Sequence, residues 1–253
     1  VWSGDTGQFP YTPGFGPQDL WSPSFDETEL IERAEPAGVT RFNLVQMTWY
    51  GLDHSYILKL IHSHPQRFAG TGIVTALTDA ALPDPDRAMQ ALAEQGIRAF
   101  RVRGLSSRPF GLEGDQWLDH PSFNAMFRMS AAQNLPLSFL CSPSDFREIS
   151  RLCGQHPDAP VIIDHVGMLG TARHSTDAEI DALAKLAQHP RTMVKLSAYG
   201  ALSKEGPPYL DVLPIVRRVL DAFGPDRCMW ASDSPGQTTA PHSYEASIAL
   251  LAE

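Results

Sequence analysis

From Val39 onward the chain repeats one alternation, a short continuously apolar run followed by an amphipathic stretch of helical period, and few folds accept that pattern. The apolar runs fall at Val39–Met47, Phe68–Thr75, Gly96–Arg103, Leu135–Cys141, Pro160–Val166, Met193–Ser197 and Cys228–Asp233. Helical patterns separate them at Tyr56–His64, Pro85–Glu94, Phe123–Gln133, Ser144–Cys153, Asp177–Gln188 and Tyr209–Phe223, and one more, Thr28–Gly38, precedes the first run. Strands that are apolar along their whole length are covered on both faces, as in a parallel sheet built from β/α units. Seven such units fit an open doubly wound sheet or a barrel one strand short of eight. An open nucleotide-binding sheet would carry a glycine-rich phosphate loop after an early strand, but Gly70-Thr71-Gly72 sits inside a strand pattern. The α/β reading is therefore a (β/α)8 TIM barrel lacking its first strand in this chain.

Residues 1–253 are read as one barrel domain, a length that buries a sizeable core. Its first 25 residues carry Pro10, Pro13, Gly14, Gly16, Pro17 and Pro23, which exclude a regular helix or central strand and predict an irregular segment draped over the rest. The chain opens on Val1 and closes on an unfinished helical pattern, Ser243–Glu253, so truncation at both ends is expected. No run of about eighteen apolar residues predicts a membrane span. A formal net charge of -9 without basic clusters argues against a nucleic-acid partner. Three cysteines, Cys141, Cys153 and Cys228, have no metal-type spacing and suit a reducing, cytoplasmic setting. Oligomeric state is left open.

In a barrel of this kind the chemistry sits at the carboxyl ends of the strands. Two runs end on titratable groups, Cys228–Asp233 on its carboxylate and Val161-Ile162-Ile163-Asp164-His165 on an imidazole. Asp233 either caps the Ser234-Pro235 turn or faces a cleft, where a carboxylate and an imidazole make a water-activating pair. Strand alternation places His165 with Val161 and Ile163 on the inner face and turns Asp164 outward to the helices. The same alternation puts Ala99, Arg101 and Arg103 together; two guanidinium groups either bridge neighbouring acids or grip a substrate carboxylate. Lys195 and Ser197 share the inner face of their run, where Lys195 can equally pair with a buried acid. Tyr50, Trp49 and His54 are candidates to wall a pocket, while His62, His64, His120, His156, His174, His189 and His242 are read as surface groups. The loops Met47–Ser55 and Leu105–Asp119 are where substrate choice is expected.

The runs Val161-Ile162-Ile163-Asp164-His165-Val166-Gly167, Val194-Lys195-Leu196-Ser197 and Trp230-Ala231-Ser232-Asp233-Ser234-Pro235 together resemble the amidohydrolase-related family of TIM-barrel hydrolases. Val1-Trp2 and Gly96-Ile97-Arg98-Ala99-Phe100-Arg101 fit the same pattern, so the resemblance covers nearly the whole chain in order. It points to the branch that holds dicarboxylate and sugar lactonases. The resemblance implies that Asp233 is general base on a water and that His165 polarises the scissile carbonyl or binds a divalent metal. It also implies that Arg101 or Arg103 holds a carboxylate of a small-molecule substrate. Tyr50 joins them as a substrate-binding candidate. Family members carry a His-x-His at the end of a first strand that would precede Val1. The implied cofactor is thus a divalent metal, zinc first, in an intact parent, with His165 and Asp233 as ligands, and weak or no metal binding by residues 1–253. Where metal-dependent relatives often place His or Lys, the run Leu135–Cys141 presents Phe139 and Cys141. The alternatives are a metal-dependent decarboxylase of an aromatic acid and a non-catalytic barrel fragment.

Overall fold

The computed structural model describes residues 1–75, 84–104 and 117–252. Seven strands follow, β1 (Phe42–Val45), β2 (Phe68–Gly72), β3 (Ile97–Arg103), β4 (Leu137–Leu140), β5 (Val161–Ile163), β6 (Thr192–Leu196) and β7 (Cys228–Trp230), and their hydrogen-bonded order is the chain order. Every register described is parallel. Nine α-helices are described, α1 (Glu27–Ala34), α2 (Ser55–Ser63), α3 (Pro85–Glu94), α4 (Pro121–Gln133), α5 (Phe146–Gln155), α6 (Asp177–Lys185), α7 (Tyr199–Leu202), α8 (Leu213–Phe223) and α9 (Tyr244–Ala249). An α/β chain with a seven-stranded parallel sheet is therefore the observed architecture. Of the loop expected at Leu105–Asp119, residues 105–116 lie outside the described residues.

The chain divides into two compact units, Val1–Val102 with Ser107–Leu137, and Arg103–Ser106 with Ser138–Glu253. In the first, Phe42 pairs with Phe68 and Val45 with Thr71, while β2 meets β3 with a register shift between Gly70 and Thr71. Helix α2 lays Tyr56, Ile57, Leu60 and Ile61 inward at helical spacing. A Cβ on Gly70 would stand 2.6 Å from Ile97 Cδ1 and 2.9 Å from Ile61 Cδ1, so any larger residue there must displace both isoleucine tips where α2 and β3 approach this strand. The N-terminal segment has no regular strand and is pinned by its aromatics. Trp2 is fully buried, exchanges both backbone hydrogen bonds with Phe25, and meets Trp49 edge-on at 5.1 Å.

In the second unit, Val161, Ile162 and Ile163 stand in register with Thr192, Met193 and Val194, and Lys195 with Met229. Helix α6 opens on a capping box in which Thr176 and Glu179 satisfy each other's backbone N–H groups. Helix α8 buries Ile215, Val216, Val219 and Phe223 and stops at Gly224, whose φ is 75°. Two strands are shorter than their apolar runs. β5 stops at Ile163 and β7 at Trp230, so His165 and Asp233 lie beyond the strand ends, and β7 is half-buried along its length.

Candidate active site

The second unit gathers titratable side chains toward the ends of β5, β6 and β7. Extended backbone ceases after Ile163, and His165, Val166, Gly167 and Met168 all have positive φ, between 52° and 62°. Three of these four are not glycine and Val166 is β-branched, a conformation that is costly and persists only where the surroundings impose it. Gly167 is required on a second ground, since a Cβ there would fall on the ring of Phe146. Ala198, just beyond β6, and Asp233, beyond β7, are left-handed as well, at 62° and 54°. Each of these three consecutive strands thus gives way to a left-handed residue that re-aims the chain.

Two rungs of side chains cross from β5 to β6. In the lower one, Asp164 is fully buried and accepts a hydrogen bond from Lys195 Nζ at 2.7 Å. Ser138 of β4 completes it, its Oγ donating to Asp164 at 2.8 Å and accepting from Lys195 Nζ at 3.2 Å. A buried carboxylate and ammonium are tolerated because each is paired and further hydrogen-bonded. In the upper rung the Nδ1 of His165 is 2.9 Å from the Oγ of fully buried Ser197. The Nε2 of the same ring faces Asp233 Oδ1 at 3.6 Å. The Asp233 side chain is 36% exposed against 12% for His165, so the carboxylate borders solvent while the imidazole is enclosed.

The faces expected for Asp164 and His165 are not the ones observed. Register puts Asp164 level with Lys195, on one face, so the carboxylate turns to β6 and not outward to the helices. His165 then reaches Ser197 because the left-handed backbone cancels the strand alternation. Lys195 takes the structural option, pairing with a buried acid. Ser138 escaped sequence reading, although a lone serine amid Leu137, Phe139 and Leu140 was the available signal. His189 and His242, read as surface groups, are half-buried and hydrogen-bonded to Ser150 and Tyr209.

Among the other expected residues, Arg101 is buried on β3 and Arg103 is half-buried at that strand's last position. Tyr50 belongs to the first unit, in the turn after β1. It is buried, its hydroxyl accepts from Ser3 N–H at 3.0 Å, and burial raises its pKa, so the phenol stays neutral. Together with Tyr11, Phe15, Leu52, Asp53 and Ile73 it lines a cleft of about 370 Å³. His54 is a bridge of the same unit: its Nδ1–H donates to Leu52 O at 2.8 Å and its Nε2 accepts from Ile73 N–H at 3.0 Å. Trp49 packs in the Trp2 cluster.

No group of three His, Cys, Asp or Glu side chains converges to hold a metal among the described residues. His165 and Asp233 are two donors, whereas a catalytic zinc takes three from protein. Cys141 is buried and in no disulfide, and burial raises the thiols of Cys153 and Cys228 to about 11, which keeps both protonated at neutral pH. The residues described thus do not make a metal site by themselves.

The chain is 28% identical to the L-fucono-1,5-lactonase of Burkholderia ambifaria over 90% of its own length and 72% of that protein's. It is 26% identical to the 4-sulfomuconolactone hydrolase of Rhizobium radiobacter, covering 92% and 72% of the two chains. Among solved structures, an amidohydrolase of Burkholderia multivorans with bound Zn has the same fold, at a TM-score of 0.70, 20% identity and 90% and 80% coverage. The amidohydrolase family model matches residues 17–253, and the chain is a member of that family.

Proposed function

We propose that the protein hydrolyses a lactone, with Asp233 activating water and His165 polarising the ring carbonyl. The observation that carries this is the pair itself, an enclosed imidazole with Nε2 3.6 Å from a solvent-bordering carboxylate. Lactone hydrolysis by two similar proteins, named for L-fucono-1,5-lactone and 4-sulfomuconolactone, supports the reaction class. Asp233 takes a proton from water as the oxygen bonds to the lactone carbonyl carbon. The charge that grows on the carbonyl oxygen is met by His165 Nε2–H. Collapse breaks the acyl C–O bond of the ring, and the leaving alkoxide takes the proton back from Asp233 to give a hydroxy acid.

Arg101 and Arg103, on one face of β3, are assigned to a carboxylate of the substrate, and Tyr50 to substrate contact at its cleft. Family membership supports the finer reading of the sheet as seven of the eight strands of a (β/α)8 barrel. In the alternative to this mechanism, His165 and Asp233 are instead two of the donors to a divalent ion, a reading supported by the Zn bound to an amidohydrolase of the same fold. Three cysteines outside any disulfide support a reducing, cytoplasmic location, and no described helix is long and apolar enough to cross a membrane.

The test is a panel of sugar lactones, carboxylate-bearing lactones and aromatic acids, following acid release against carbon dioxide release. Acid release from at least one lactone is expected. Carbon dioxide from an aromatic acid with every lactone inert would establish a decarboxylase instead.

A further inference from the structure

We infer that Ser197 is a positioning residue: its hydroxyl donates to His165 Nδ1 and holds the ring as the Nε2–H tautomer, with that proton directed toward Asp233. The inference rests on the proposed roles of His165 and Asp233 and adds the group that fixes which ring nitrogen carries the proton.

A neutral imidazole carries one N–H and one lone pair, and the partner of one nitrogen decides the state of the other. Were Nδ1 to donate to Ser197, the Nε2 lone pair would face the Asp233 carboxylate at 3.6 Å, an unfavourable opposition of two electron-rich groups. With Ser197 as donor, Nδ1 supplies the lone pair and Nε2–H meets the carboxylate or a carbonyl oxygen placed before it. Ser197 is itself immobilised, being fully buried at the end of β6 and followed by left-handed Ala198. The lower rung sets the height of the arrangement, since Lys195 lies two residues before Ser197 and Asp164 one residue before His165. The Ser197 hydroxyl adds a directional restraint to a ring that is already enclosed.

The first measurement uses the unmodified protein with ¹⁵N-labelled histidine, the His165 signals among the nine histidines being assigned by their loss in His165→Gln. Nδ1 is expected to resonate as an unprotonated nitrogen and Nε2 as a protonated one; the reverse pattern overturns the inference without any activity being measured. The second measurement is turnover. Ser197→Ala is expected to lower kcat about tenfold with KM changed less than about twofold, while Ser197→Thr, which keeps a hydroxyl, retains most of kcat. Wild-type kcat in Ser197→Ala alongside an inactive His165→Gln would sink the positioning role and leave the lactonase reading intact. Full lactone turnover in His165→Gln would sink the lactonase reading itself, and the tautomer pattern would still decide what Ser197 does to the ring.

Discussion

Asp233 combines a chemical and a conformational demand in one position, and a single substitution separates them. Its φ of 54° is left-handed, a region in which asparagine is among the few tolerated non-glycine residues. Asp233→Asn therefore keeps both the backbone and the side-chain shape while removing the base. It is expected to cut lactone kcat about a hundredfold or more, with the thermal midpoint little changed. A variant with undiminished turnover would remove Asp233 from the mechanism. Lys195 makes a contrasting case. Lys195→Met leaves Asp164 buried without its cation and is expected to cost about 3–5 kcal/mol in urea denaturation, most of it recovered by adding Asp164→Asn. If Lys195→Met alone unfolds at the wild-type urea concentration, the pair is not holding the strand ends. That His165 and Asp233 come close was legible because each is a polar group ending an apolar run. Asp164 lies on the face opposite to the expected one because the register of β5 against β6, which levels Ile162 with Met193 and so Asp164 with Lys195, cannot be read from one strand alone.

At the scale of elements, the seven strands and most of the helices could be read because continuous apolar runs and helical periods differ sharply. Strand ends could not, since they are set by backbone conformation, and only Gly167 in His165-Val166-Gly167-Met168 advertises a left-handed turn. The tie between the turn after β1 and the residue after β2 was also hidden, because it is one imidazole using both nitrogens, with Leu52 O and Ile73 N–H. Burial lowers the pKa of His54, partly offset by the Leu52 carbonyl and by Asp53. The folded value thus lies below the unfolded one, about 6.5, so the unfolded chain binds the proton first as pH falls. The contribution of His54 is complete above about pH 6.5 and declines as pH drops from there toward the folded value. Melting temperature should fall as pH drops below about 6.5, and His54→Gln, which has nothing to titrate, should flatten part of that fall. His189, whose pKa burial also lowers, leaves a residual slope. An unchanged acid limb in His54→Gln would mean that the imidazole is not the group being titrated.

For the molecule as a whole, the net charge of -9 and the proposed carboxylate-bearing substrate pull in opposite directions. Sequence composition makes the first visible at once; the second depends on Arg101 and Arg103, whose local field competes with the global one. Distance decides between them. At about 10 mM salt the screening length is roughly 30 Å and an approaching anion senses the whole acidic surface, whereas at about 150 mM it is roughly 8 Å and only the groups nearest the substrate count. Raising salt over that interval should therefore remove repulsion first. kcat/KM for a carboxylate-bearing lactone is expected to rise a few-fold, while a neutral sugar lactone of similar size changes little. A kcat/KM that falls with salt for the anionic lactone alone would show the two guanidinium groups dominating the encounter at long range. Equal response of both lactones would remove substrate charge from recognition, and with it the carboxylate-binding role proposed for Arg101 and Arg103.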